Sequence, residues 1–149
     1  MLSSSPDKQS SLARARAITP GEWRDLAVAL FELARARILL ARFNARRMLS
    51  GVAHSPVAPQ ASGRDERISR VSKAIARVSH RLPWRADCLI QAVAAQNWLR
   101  RYHVPAQIVV GARTRSQEPF EAHAWLTCGN IVVTGGDISG YAPLKPPLG

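Results

Sequence analysis

DCLIQAVAAQNWLRRYHVPAQIVVGARTRSQEPFEAHAWLTCGNIVVTGG, residues 87–136, decides how this chain folds. Its hydropathy changes period halfway. Leu89, Ala92, Val93, Gln96 and Leu99 recur at helical spacing behind Asp87, a side chain suited to an N-cap, and Pro105 stops the run. Beyond it, 106–112 (AQIVVGA), 121–127 (EAHAWLT) and 130–135 (NIVVTG) are short runs rich in β-branched and aromatic residues. Turn residues separate them, among them Cys128-Gly129-Asn130. Helices first and strands afterwards predict an α+β fold with a small antiparallel sheet, the helix packed on it.

Working outward, Thr19-Pro20-Gly21-Glu22 is a helix-start signal. Thr caps, Pro takes the first helical position and Glu reaches back as in a capping box. Trp23, Leu26, Leu30, Ala34, Ile38 and Ala41 then recur at spacings of three and four, so 20–49 reads as an amphipathic helix or a kinked pair. Residues 51–63 (GVAHSPVAPQASG) have no periodicity and read as a linker. Another helix is expected over 64–80, with Ile68, Val71, Ile75 and Val78 on one face and Arg67, Arg70, Lys73 and Arg77 around the others. The expected organisation is a disordered tail over 1–17, a helical region and linker over 18–63, and a domain over 64–149 that carries the chemistry.

The 149 residues suffice for one modest core. At 46% apolar and 21% charged the composition is that of an ordinary globular protein. The formal net charge of +11 comes almost wholly from arginine, and it asks for an acidic partner. Residues 12–47 and 64–81 are basic, whereas 106–149 balance three basic residues against three acids. The first 17 residues lack the apolar segment of a secretory signal. The most apolar window, 26–41, contains Glu32, Arg35 and Arg37, which argues against a membrane span. Two cysteines without framework spacing are expected as reduced thiols of a cytoplasmic protein, with a Cys88–Cys128 disulfide as the alternative.

Two reactive side chains sit at informative places. Cys88 falls at the start of a helix, where free N–H groups and the positive dipole end stabilise a thiolate. His123 lies on a strand whose alternation puts it on one face with Trp125 and Thr127. A thiol at a helix start beside a histidine-bearing strand is the arrangement of thiol hydrolases, in which the imidazole takes the thiol proton and the thiolate attacks a carbonyl carbon. A hairpin with its turn at 128–130 would bring Asp137 toward the second ring nitrogen of His123. Each of the three has a plainer reading: a small buried cysteine, a structural histidine, a turn aspartate. The histidines at 54, 80, 103 and 123 have no ligand spacing, so no metal or other cofactor is expected.

The run 87–136, with Cys-Leu opening a helix, Leu-Arg-Arg at its end, Pro-Ala leading into an apolar strand, Ala-His-Ala-Trp, and Tyr-x-Pro-Leu at 141–144, resembles the transglutaminase-like leader peptidase of lasso-peptide biosynthesis. The specific similarity covers 82–144. In composition, the basic N-terminal helix also resembles the stand-alone protease form, which works with a separate leader-binding protein. The resemblance implies a papain-like cysteine protease core with an N-terminal helical extension. It implies Cys88 as nucleophile and His123 as base. An aspartate is common in the family near the places of Thr134 and Gly135, so either the loop shifts Asp137 into place as third member, which is the expectation, or another polar group or water orients the histidine. The resemblance further implies a ribosomal precursor peptide as substrate, a precursor-recognition protein that holds the leader, and a cyclase that takes the freed core.

Two other readings compete. Another transglutaminase-like acyl transferase would share Cys88 and His123 and pass the acyl group to an amine. A basic nucleic-acid-binding protein would explain the charge, but no aromatic residues interleave the arginines and no recognised binding motif is present.

Overall fold

The computed structural model describes residues 19–42, 63–113 and 121–144. Three helices, α1 (Pro20–Arg42), α2 (Arg64–Ser79) and α3 (Cys88–Arg101), precede four strands, β1 (Gln107–Arg113), β2 (Glu121–Cys128), β3 (Ile131–Thr134) and β4 (Ala142–Pro143). The strands form one antiparallel sheet in the order β3-β2-β1-β4. The α+β class expected from the change of period holds. The expected tail over 1–17, and nearly all of the linker over 51–63, fall outside the described residues.

The capping box at the start of α1 is complete. Glu22 N–H donates to Thr19 Oγ1 at 3.3 Å, and Thr19 N–H donates back to Glu22 Oε2 at 2.8 Å. The buried face of α1, however, is not the row read from sequence. Trp23, Leu30 and Ile38 of that row are exposed, while Ala29, Glu32, Leu33 and Ala36 are buried. α1 is apolar on two sides, and periodicity picks out the side with the larger residues. Ion pairs choose the other. Arg70 of α2 holds Asp25 through two hydrogen bonds of 3.0 and 3.1 Å, Arg77 approaches Glu22, and Arg101 of α3 pairs with Glu32. These turn the alanines inward, where small side chains let the helices approach closely. Two of the four basic residues crowding α2 are thereby engaged with α1.

α2 buries Ile68, Val71, Ala74 and Ile75, much as its periodicity predicts. α3 is the centre of the molecule, between α1 and α2 on one side and the sheet on the other. It therefore buries seven of its fourteen residues, including Ile90 and Trp98 outside the expected stripe. Its last turn closes on His103, whose φ of 54° is the left-handed conformation usually left to glycine. From the sheet, Ile108, Leu126, Cys128 and Val133 complete the same core.

The opposite face of the sheet carries His123 and Trp125. Gly111, opposite His123 on β1, leaves room for the Trp125 indole: a Cβ there would lie 2.5 Å from Trp125 Cη2. Trp125 is thus buried against the site and not among the helices. Nothing in the sequence marks the edge strand β4, since two residues leave no period to read.

Candidate active site

The N-terminus of α3 meets the edge of β2. Asp87 occupies the N-cap position, as its place in the sequence predicts, but its side chain makes no capping hydrogen bond. The carboxylate turns outward to Arg85 at 3.7 Å, both side chains largely exposed. The first N–H groups of α3 are left without that cap, next to the Cys88 thiol.

β3 pairs with β2 only at Leu126, Thr127 and Cys128, and the register is interrupted between Leu126 and Thr127. Ahead of that bulge the edge of β2 is open, and Cys88 occupies it. The Ala124 N–H donates to Cys88 Sγ at 3.4 Å. This places the thiol against the residue that follows His123. Cys88 and His123 line one cleft of about 650 Å³, walled by the end of α2 (Ser79, His80), by Asp87 and Gln91, and by Glu121 at the start of β2. Gln91 is held by its amide, which donates to the Ala86 carbonyl at 2.8 Å and braces the turn before α3.

His123 is oriented by a backbone group. Its Nε2 lies 2.7 Å from the Gly135 carbonyl oxygen. A carbonyl only accepts, so Nε2 carries the proton, and in the neutral ring Nδ1 keeps its lone pair. The close approach depends on glycine at 135. Its φ is +113°, and a Cβ there would fall on Trp125 Cβ and lie 3.4 Å from His123 Nε2. The chain leaves β3 at Thr134, passes over Trp125 and delivers its carbonyl to the ring.

Asp137, expected as the third member, lies elsewhere. Its Oδ1 accepts the Ser139 N–H at 2.9 Å, and the Ser139 hydroxyl, followed by this backbone bond, holds the carboxyl below the ordinary carboxylate value. It is exposed and makes neither hydrogen bond nor ion pair with His123. The place beside Nε2 is taken by Gly135, one of the two positions near which an aspartate is common in the family that the sequence resembles.

Tyr141, which the sequence marks only as the start of Tyr-x-Pro-Leu, also packs on the His123 ring. The Tyr141 ring centroid lies 4.9 Å from that of His123, and the Trp125 and His123 rings stack with centroids 6.1 Å apart. Tyr141 Oη donates to Glu121 Oε1 at 2.6 Å, and Arg113 donates to Glu121 Oε2 at 2.5 Å while lying over the Tyr141 ring. The tyrosine and Arg113 hold the Glu121 carboxyl below its usual value, and Glu121 raises the Tyr141 hydroxyl above its own. The signal in the sequence is the 121/123 spacing, which alternation places on one face of β2.

The second cysteine is remote from this chemistry. Cys128 is buried, with its Sγ between the Arg64 guanidinium at 3.0 Å and the Pro105 carbonyl at 2.9 Å. Both thiols are free, so the disulfide alternative is excluded. No helix among the described residues is long and apolar enough to cross a membrane.

The sequence profile of the transglutaminase-like superfamily matches residues 28–146, from within α1 to beyond β4. No curated protein and no solved structure shows significant similarity to the chain. That superfamily commonly contains cysteine-dependent enzymes, and the thiol at a helix start beside a strand histidine is consistent with it. With four-fifths of its length matched, this chain belongs to the transglutaminase-like superfamily.

Proposed function

We propose that this protein is a cysteine peptidase that removes the leader from a lasso-peptide precursor. It acts in the cytoplasm with a separate leader-binding protein and ahead of a cyclase. The observation that carries the catalytic part is the pairing around β2: the Cys88 thiol sits against Ala124 N–H, while the neighbouring His123 has Nε2 committed to Gly135 and Nδ1 left as base. The choice of substrate rests on the resemblance of residues 82–144.

Nδ1 of His123 takes the proton from Cys88 Sγ, and the thiolate attacks the carbonyl carbon of the peptide bond between leader and core. The Cys88 N–H, in the uncapped first turn of α3, donates to the oxyanion that forms. As the tetrahedral intermediate collapses, the C–N bond breaks. The imidazolium gives its proton to the departing amine, which is the new N-terminus of the core. The leader remains as a thioester on Cys88. Water then loses a proton to Nδ1 and attacks the thioester carbon, and the leader leaves as a carboxylic acid with the thiol restored. The Gly135 carbonyl holds the ring throughout, and the aromatic pair Trp125 and Tyr141 limits its rotation.

Purified protein, incubated with precursor and leader-binding protein and followed by mass spectrometry, should release one leader fragment with a free carboxyl terminus. Loss of that fragment in Cys88→Ala is required, and equal cleavage by the variant refutes the nucleophile. Added primary amines test the acyl-transfer alternative: a leader that ends as an amide, in preference to the acid, would replace hydrolysis with transfer.

A further inference from the structure

α1 is apolar on the side that faces away from the core. Trp23, Leu30, Phe31 and Ile38 are 61, 44, 58 and 53% exposed. Spaced at i, i+7, i+8 and i+15, they form one stripe along the helix. A row of large side chains left in water is a feature that monomeric proteins avoid. At its lower edge the stripe runs into a groove between α1 and α3, lined by Phe31, Arg35, Leu39, Asn97, Arg100 and Arg101.

The charge of this face selects its occupant. Arg35 and Arg101 both approach the Glu32 carboxylate, which is itself fully buried, so two guanidinium groups are anchored on one acid. Arg24, Arg42 and Arg100 have no ion-pair partner among the described residues. The stripe is thus rimmed by unneutralised positive charge. A second copy of this chain would set arginine against arginine. None of the chain's own undescribed segments carries net negative charge: residues 1–18 hold three basic residues and one acid, 43–62 two arginines and no acid, 114–120 one arginine and one glutamate, and 145–149 one lysine and no acid. A concave groove between two helices also suits an inserted side chain better than the flat surface of a bilayer.

We propose that the outer face of α1, with the Phe31–Arg100 groove beside it, docks a separate protein that presents an apolar ridge flanked by carboxylates. This rests on the peptidase reading in one respect: the leader-binding protein required there is the partner named for this face. The groove shares no residue with the Cys88 cleft.

The test measures binding and cleavage separately. Titration calorimetry of the full chain with purified leader-binding protein gives Kd, and mass spectrometry at saturating partner gives the cleavage rate. Phe31→Glu, Ile38→Glu and Arg100→Glu should each raise Kd at least tenfold, with thermal midpoints unchanged because all three side chains are exposed. The rate at saturation should stay at the wild-type value. Unchanged Kd in Phe31→Glu and Ile38→Glu overturns the proposal. So does a homodimer in sedimentation that Phe31→Glu dissociates, or capture of the chain by phosphatidylglycerol vesicles that Phe31→Glu abolishes. Tight binding that the three substitutions weaken, with no leader released, supports the surface and sinks the peptidase reading instead.

Discussion

The Nε2 of His123 and the carbonyl oxygen of Gly135 lie 2.7 Å apart, and this one hydrogen bond sets both the tautomer and the direction of the ring. In the proposed site a backbone carbonyl stands where a three-membered thiol site has a carboxylate. It is neutral, so it orients the imidazole without adding the charge that would stabilise the imidazolium. Gly135→Ala should therefore disable the site while Asp137→Ala spares it. The alanine adds a methyl that collides with Trp125 at a φ of +113°, and it should cost about 1–3 kcal/mol of stability. Leader release should fall about a hundredfold or more, as expected when a base is misplaced. Asp137→Ala should change the rate by no more than about twofold, since surface substitutions are usually near neutral. A large loss in Asp137→Ala would return the aspartate to the site.

The two cysteines should differ sharply toward a thiol reagent. Cys88 opens on the cleft, and Cys128 is buried between Arg64 and Pro105. Titration of native protein with a disulfide reagent should show one fast thiol, absent from Cys88→Ala, and a second only after denaturation. Two fast thiols in the native protein would contradict the burial of Cys128 between Arg64 and Pro105.

Tyr141 and Glu121 form a clamp beside the proposed base, and its pH limits follow from their shifts. The Glu121 carboxyl is held below 4.5, chiefly by the tyrosine hydroxyl and then by Arg113, so its contribution is present above that value and lost as pH falls through the lowered one. The Tyr141 hydroxyl is raised above 10.0 by Glu121, so its contribution is complete below 10.0 and lost as pH rises through the raised one. Near-ultraviolet dichroism from the Tyr141–Trp125 pair should accordingly stay flat from about pH 5 to 10. Tyr141→Phe keeps the ring on His123 and removes the bond. It should lower kcat about three- to tenfold with KM little changed, whereas Tyr141→Ala should lose more. An unchanged kcat in Tyr141→Phe would mean that the hydroxyl positions nothing, and equal losses in the two variants that the ring adds nothing to it.

Glu32 is a buried carboxylate whose two arginine partners are about half exposed. Removing a partner strands the charge, whereas removing the acid releases the arginines to water. Arg101→Leu should thus cost about 2–3 kcal/mol in denaturant unfolding, and Glu32→Leu distinctly less. The reverse order would show that the acid orients α1 at a net gain in stability.

His103 ends α3 with φ at 54°, where a Cβ is disfavoured. His103→Gly relieves this and should raise stability by about 0.5–1 kcal/mol, or roughly 2–4 °C in Tm. A lower Tm would show that the imidazole makes contacts worth more than the strain.

Local chemistry is legible in the order of the residues. The capping box of Thr19 and Glu22, the core stripe of α2, the change from helical to strand period near Pro105, and the placing of Cys88 at a helix start and His123 on a strand all depend on short-range pattern. What that order hides depends on contacts between residues far apart in the chain. Periodicity cannot tell which of two apolar sides of α1 is buried, because both repeat alike. Arg70 reaching Asp25 and Arg101 reaching Glu32 decide that, and they leave Trp23, Phe31 and Ile38 outside. Nor can spacing separate Asp137 from Gly135 as partner of His123. A side chain is visible in sequence as a type, but a carbonyl belongs to every residue. Only the bulge in β2 and the left-handed turn at Gly135 aim that one at the ring. The amino-acid order alone specifies which residues can react and on which elements they stand. Tertiary packing selects the groups that hold them, because hydrogen-bond partners are chosen by distances of a few tenths of an ångström that no local pattern records.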